Sequence, residues 1–267
     1  MAILNETFTL HNGVKIPKIG FGTWQISNTA ANDAVSFALK TGYRHIDTAR
    51  AYGNEENVGK AVRDSKLKRE EVFVTSKLPA EIKGFKVAHA SFDKTIHNLG
   101  FDYLDLFLIH APWPWGEKGS DYTEGNIASW KAMEEIYKEG KAKSIGVSNF
   151  SETDIQAILD NCEIVPMVNQ IRLFPGHMQE DLATFCRKHN ILLEAYSPLA
   201  TGRILDNAKI MDIAKKYKVS VAQICIRYLL QKELLPLPKT THPARIAENA
   251  AVDFVIADED MEVLDSI

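Results

Sequence analysis

The stretch VFVTSKLPAEIKGFKVAHASFDKTIHNLGFDYLDLFLIH, residues 72–110, reads as strand, helix, strand. Val72–Lys77 and Leu104–His110 are short, mainly apolar runs, and a longer amphipathic segment separates them. A strand that is apolar on both faces is covered on both faces, and a connection of this length through a helix makes the two strands parallel. Each run also closes on a polar side chain, Lys77 in one case and His110 in the other.

The same unit recurs in both directions from this stretch. Comparable runs occur at Lys18–Gly22, Arg44–Asp47, Lys143–Ser148, Met167–Gln170, Ile191–Tyr196 and Leu234–Leu237, which brings the number of strands to eight. The segments between them carry helical spacing, as in Ala34, Phe37 and Ala38, in Ala61 and Val62, in Ile155, Ile158 and Leu159, and in Ile210, Ile213 and Ala214. An extra helix is expected around Val221–Leu230, ahead of the last strand. Dividing 267 residues among eight units leaves about 33 each, enough for a strand, a helix and two short loops. The expectation is an α/β fold, a (β/α)8 TIM barrel forming one domain over residues 1–267, with an open doubly wound sheet as the competing arrangement. Before the first unit, Phe8–His11 and Val14–Ile16 flank Asn12-Gly13, a pair suited to a type I′ hairpin that would plug the barrel floor.

Composition narrows the function classes. The chain is 45% hydrophobic and 25% charged, which excludes disorder and coiled coil. A net charge of −4 without blocks of either sign argues against nucleic acid or an anionic membrane as partner. No apolar run approaches a membrane span or an export signal. Cys162, Cys186 and Cys225 are odd in number and set in apolar patterns, which suggests buried thiols in a reducing compartment, the cytoplasm. Metal-binding and P-loop motifs are absent, so no metal is expected.

In a barrel of this kind chemistry gathers where the strands end. Here those ends carry Asp47, Lys77, His110, Ser148 and Asn149, Asn169 and Gln170, Tyr196 and Ser197, and Lys239. Taken singly, Asp47 with Lys77 fits a structural ion pair and His110 a satisfied core histidine. Together with Tyr52, which sits in a polar loop without a packing pattern, they make a proton-transfer set. A buried ammonium beside a phenol favours phenolate, a carboxylate keeps that ammonium charged, and an imidazole can orient a substrate oxygen. The lone Gly20-Phe21-Gly22 is read as a close approach at the barrel mouth, and no G-x-G-x-x-G follows any strand.

Seven strings occur in order: GYRHIDTARAYGNEENVG, VTSKLP, DYLDLFLIH, IGVSNF, VNQ, EAYSPLA and LPKTTHPARIAEN. Along nearly the whole chain they resemble the aldo-keto reductases, and most of all the bacterial 2,5-diketo-D-gluconate reductase-like branch. The resemblance implies a monomeric barrel that binds NADPH and reduces small-molecule aldehydes and ketones, with the catalytic tetrad at Asp47, Tyr52, Lys77 and His110 and Tyr52 as general acid. It places the carboxamide contacts on Ser148, Asn149 and Gln170, and the ring that stacks on the nicotinamide on Tyr196. Pyrophosphate contacts fall on Ser197 and Leu199, 2′-phosphate contacts on Lys239, Thr240 and Arg245, and adenine contacts on Glu248 and Asn249. Further cofactor contacts fall on Gly22, Thr23 and Trp24. Cations at a helix start suit a 2′-phosphate, which favours NADPH over NADH.

Two departures bear on the pocket. Ala111 stands where the family commonly has Trp directly after the histidine, with Trp113 and Trp115 two and four positions later. Little chain follows the last helical pattern, so a more open pocket is expected, walled by Trp24, Tyr52, His110 and Trp113. Two other readings stay open on the same fold: a low-turnover NADP(H)-binding redox-sensing or structural protein, and a lyase or isomerase using Lys77 as a Schiff base.

Overall fold

The computed structural model describes residues 1–267. A short antiparallel hairpin, β1 (Thr7–Thr9) and β2 (Lys15–Pro17), precedes the barrel. The barrel strands are β3 (Phe21–Gly22), β4 (His45–Asp47), β5 (Phe73–Leu78), β6 (Leu106–Ile109), β7 (Ile145–Ser148), β8 (Val168–Arg172), β9 (Leu192–Tyr196) and β10 (Leu235–Leu237). Every adjacent pair in this order is parallel, so the eight strands lie in sequence order around the sheet.

Helices return the chain between strands. They are α1 (Asn28–Thr41), α2 (Glu55–Asp64), α3 (Phe85–Leu99), α4 (Thr123–Lys138), α5 (Glu152–Asn161) and α6 (Glu180–Lys188), one per connection. Two helices, α7 (Ala208–Tyr217) and α8 (Val221–Gln231), share the β9–β10 connection, and α9 (Pro243–Ala250) and α10 (Asp258–Asp265) follow β10. Local chemistry sets their ends. Ser27 caps α1 by accepting from Ala30 N, and Gly42 at φ +113° stops it. Ser151 with Asp154, and Ser220 with Gln223, form reciprocal capping boxes at the starts of α5 and α8. The apolar faces meet in one buried cluster of 68 residues that fills the strand–helix layer. No helix is long and apolar enough to cross a membrane.

The seam between the first and last strands explains why the barrel is nearly rather than fully closed. Gly20 N donates to Pro236 O at 3.1 Å and Gly22 N to Pro238 O at 3.0 Å. Proline has no N–H to answer with, so the seam holds only the accepting half of a ladder. It also needs glycine, as the G-x-G reading expected. A Cβ on Gly20 would run into Leu237 Cδ2 and lie 2.7 Å from His45 Nδ1, and one on Gly22 would lie 3.2 Å from Leu237 O.

At the opposite end, the hairpin reaches the barrel floor through Asn12 Nδ2, which donates to Lys143 O just ahead of β7. Its turn differs from the expected type I′. Gly13 N donates to Leu10 O at 2.8 Å, and only Gly13 is left-handed there, at φ +87°. Asn12 instead accepts from Val14 N on its side-chain oxygen, and its own backbone stays out of the left-handed region. All three cysteines are free, and Cys186 and Cys225 are buried as expected. Cys162 is only half-buried, because it caps the C-terminus of α5 at the helix edge.

The closeness of the seam is testable. Gly20→Ala should lower stability by about 1–3 kcal/mol through overpacking, read as a lower urea midpoint at constant m. An unchanged midpoint would mean that Leu237 and His45 can give way at no cost.

Candidate active site

The eight-stranded order turns every C-terminal strand end toward one mouth, and the polar residues singled out above sit there. Asp47 is the last residue of β4, Lys77 lies one residue from the end of β5, and His110 follows β6. Tyr52 arrives from a single 3₁₀ turn, Arg50–Tyr52, just beyond β4.

Lys77 is wholly buried, and its Nζ donates to Asp47 Oδ1 at 2.8 Å, Asp47 Oδ2 at 2.7 Å and Thr48 O at 2.9 Å. The phenol oxygen of Tyr52 lies 3.4 Å from the same nitrogen. Burial works against the charge on Lys77, but Asp47 and then Tyr52 outweigh it and hold the ammonium above the usual lysine range. Burial pushes the Tyr52 phenol up to about 12, and Lys77 pulls the other way without prevailing. The expected pull of Lys77 toward phenolate is present, but burial outweighs it. The cation lowers the cost of losing the proton, yet the resting phenol keeps it. His110 packs edge-on against Tyr52, with ring centroids 5.6 Å apart. Burial, followed by the field of Lys77, drops its imidazole to about 3, so it is neutral.

A second layer holds these groups. Gln170 on β8 gives its Nε2 to Asp47 Oδ2 at 2.8 Å and to Glu194 Oε2 on β9 at 2.7 Å. That leaves the side-chain amide oxygen of Gln170, Oε1, without a protein partner. Glu194 is fully buried, and burial followed by repulsion from Asp47 pushes its carboxyl up to about 8. Thr23 donates to Asp47 O through both its N and its Oγ1, fixing the end of β4 against β3.

On the other side of the mouth, Tyr196 OH donates to Asn149 Oδ1 at 2.8 Å, and Asn149 Nδ2 donates to His110 O at 2.9 Å and to Ser148 Oγ at 3.1 Å. Ser148 Oγ donates in turn to Gln170 O at 2.8 Å. Asn149 holds this position in a left-handed conformation, φ +61°.

The remaining expected contacts line the rim from β9 to α9. Ser197, Ala200 and Thr201 are all left-handed, with φ of +50°, +49° and +57°. Such backbone costs on the order of 1 kcal/mol per residue and clusters where a ligand uses it. Leu199 lies half-buried within this run. Lys239 and Arg245 are exposed and form no ion pair with any carboxylate, and Thr240 between them is buried. Pro243 opens α9 with no side-chain cap, leaving that helix start free for an anion. This helix is followed by α10. Glu248 is half-buried and Asn249 buried on its far turn. Gly22 lies against Lys239, where a Cβ would sit 3.7 Å from Lys239 Cβ.

The pocket wall differs in one respect from the sequence reading. Trp115, not Trp113, meets His110, with ring centroids 5.2 Å apart and planes at 88°; Trp113 packs behind it at 5.5 Å. The loop is pinned at three successive carbonyls, His110 O by Asn149, Ala111 O by Lys83 Nζ at 2.6 Å, and Pro112 O by Asn126 Nδ2 at 2.8 Å. With small Ala111 buried beneath, the chain folds back and lays the later indole on the histidine. Trp24 stands 46% exposed just past β3. Sequence reasoning also passed over Glu194, although a carboxylate inside an apolar strand, two residues and hence one face from Tyr196, is a signal.

The profile of the Aldo/keto reductase family matches residues 18–267. The glyoxal reductase of Bacillus subtilis (strain 168) is 42% identical over 266 residues, covering 99% of this chain and 93% of the relative. The crystal structure of an aldo/keto reductase from Brucella melitensis superposes with a TM-score of 0.93 at 41% identity, over 98% of this chain and 97% of that one. A Bombyx mori aldo-keto reductase crystallised in complex with NADP gives a TM-score of 0.88 at 34% identity, over 98% of this chain and 92% of that one.

The ion pair at the centre makes a prediction. Lys77→Met strands the Asp47 carboxylate in the interior and should cost about 3–5 kcal/mol, most of which Asp47→Leu restores in the double variant. Strictly additive losses in urea denaturation would show that the two groups do not depend on one another.

Proposed function

The chain belongs to the aldo/keto reductase family, and from that premise we propose that it reduces aldehydes and ketones to alcohols with NADPH. The observation that carries the reading is the Asp47–Lys77–Tyr52 chain of contacts at the barrel mouth, with His110 beside it. Bound in the rim, the cofactor supplies the hydride. The proton comes from Tyr52, the general acid, whose phenol is protonated at rest and whose nascent phenolate faces the Lys77 ammonium. Asp47 keeps that ammonium charged and aimed. His110, neutral at working pH, contributes an N–H that orients and polarises the substrate oxygen without competing for the proton.

The residues present fit a phosphorylated dinucleotide. The left-handed residues Ser197, Ala200 and Thr201 suit a pyrophosphate, and the unpaired Lys239 and Arg245 at an uncapped helix start suit a 2′-phosphate. Thr240, Glu248 and Asn249 would complete the adenosine end. Gly22, Thr23, Trp24, Ser148, Asn149, Gln170, Tyr196, Ser197 and Leu199 would hold the nicotinamide and pyrophosphate, with the free Gln170 oxygen accepting from the carboxamide. The Bombyx mori relative's complex with NADP supports this choice. The name of the Bacillus subtilis relative makes α-dicarbonyls the first substrates to test, and keto sugar acids of the 2,5-diketo-D-gluconate type come next. We take the protein to work as a monomeric, single-domain cytoplasmic enzyme with no metal. A Schiff base on Lys77 is disfavoured, because its nitrogen is buried, charged and already bonded to three oxygens.

The decisive assay is loss of NADPH absorbance with glyoxal and a small panel of aldehydes. Tyr52→Phe should lower kcat by about 10²–10⁴-fold and leave NADPH affinity by fluorescence titration in place. Full activity in this variant would remove Tyr52 from the mechanism, and no turnover by the wild type on any carbonyl would favour a sensing or structural role. Arg245→Ala should weaken NADPH by about 10- to 100-fold and NADH hardly at all; equal weakening of both would sever Arg245 from the 2′-phosphate.

A further inference from the structure

Glu194 is the one buried carboxylate at the barrel mouth to which the mechanism above gives no role. It has no solvent access, and it accepts one hydrogen bond, from Gln170 Nε2, on Oε2. Its other oxygen, Oε1, has no partner. The same Gln170 nitrogen bonds Asp47, so a single amide group bridges two carboxyl groups.

Only one permanent cation reaches this interior, and it is committed. Lys77 spends its contacts on both oxygens of Asp47, Thr48 O and Tyr52. The other titratable group facing Glu194 is His45 on β4, whose Nε2 is 4.0 Å from Glu194 Oε1 but lies 2.9 Å from Thr75 Oγ1. Burial, then the field of Lys77, drops His45 to about 3, so it offers no charge. Of the strands flanking β9, β8 brings the neutral Gln170 and, at its end opposite Tyr196, Arg172, whose guanidinium lies over the Phe174 ring, while β10 contributes only Leu235, Pro236 and Leu237. The charged residues of α6, Glu180, Asp181, Arg187 and Lys188, are exposed to solvent. Two carboxylates sharing one ammonium in a dry interior cannot both ionise cheaply, and the bidentate pair makes Asp47 the charged one.

We propose that Glu194 is a positioning residue that works in its protonated form, holding the Gln170 amide nitrogen against Asp47 so that the Gln170 oxygen faces the mouth, and that its ionisation closes the active pH range from the alkaline side. The inference rests on the reductase reading. With Glu194 neutral, the field of Lys77 is opposed only by Asp47, and the phenolate forming at Tyr52 feels its pull. A second anion one amide away from Asp47 offsets that field and makes the proton harder to give up. The burial that raises this carboxyl to about 8 puts the change within reach of ordinary assays.

The sign for stability follows from the same shift. The folded protein keeps a proton that the unfolded chain releases at the ordinary carboxylate value of about 4.3. This site's contribution is therefore fully present below that value, is lost as pH rises toward about 8, and stays lost above it. Glu194→Gln keeps the acceptor for Gln170 and cannot ionise, and Glu194→Ala keeps neither.

The test is kcat against pH from 6 to 10 for the wild type, E194Q and E194A, with Tm measured across pH 5–9 for the same proteins. Wild-type kcat should fall about tenfold per pH unit above pH 8. E194Q, about threefold slower at pH 7, should lack that limb, and E194A should be at least tenfold slower still, so that Gln rescues what Ala does not. The Tm of E194Q relative to wild type should climb between pH 5 and 8 and then level. The same alkaline limb in wild type and E194Q, equal activity of E194A and E194Q, or a Tm difference that ignores pH would each overturn the proposal. A wild type that turns over no carbonyl would instead fail the reductase reading, and the Tm curves would still report whether Glu194 carries its proton.

Discussion

An ammonium placed in a protein interior survives only with a carboxylate at hydrogen-bond distance, and the geometry of this barrel's mouth follows from that requirement. Lys77 is fully enclosed and both oxygens of Asp47 hold it. Both residues sit on neighbouring strands with their register set by the ladder, Asp47 opposite Thr75 and Lys77 two residues beyond. The pair is thus rigid before any ligand arrives. Because a lone buried charge is so unfavourable, the two groups hold each other in place, and everything that touches them inherits a fixed position.

From the pair, order spreads in two directions. Outward lies Tyr52, held by the short turn after β4, and beside it His110. Inward and across the barrel lies Gln170, which ties Asp47 to Glu194, four strands round from Lys77. Burial raises the resting phenol and lowers the imidazole, so the first keeps its proton and the second stays neutral. The site differs from one in which a cation simply makes a phenol acidic. It holds a protonated phenol at rest beside a charge that answers only when the proton leaves, which suits a group that must donate on demand.

The loop over the site shows how a single small side chain redirects a wall. Ala111 is buried, and three successive carbonyls are tied down from Asn149, Lys83 and Asn126. A backbone so pinned cannot swing, and the indole that reaches His110 is the one four residues after Ala111, Trp115, rather than Trp113. The wall beside His110 is therefore bound up with a loop whose path depends on contacts from three other segments.

Much of this was legible from the order of residues alone. Eight apolar runs alternating with amphipathic segments specify parallel strands covered by helices, because a strand apolar on both faces has nowhere else to bury them. The polar residues that end those runs had to converge once the sheet curled, so Asp47, Lys77 and His110 were visible as a set. Other features depended on contacts distant in sequence. The hairpin meets the barrel floor because Asn12 reaches Lys143, and the seam stopped short of a full ladder because the prolines in and just past β10 meet glycines more than two hundred positions earlier. Whether Tyr52 is acidic, which tryptophan meets His110, and that Glu194 shares an amide with Asp47 all turn on burial and on distances across the barrel. Periodicity reports which face of an element is apolar; only the closed fold decides which polar groups end up sharing a space that water cannot enter, and that exclusion is what sets their charge.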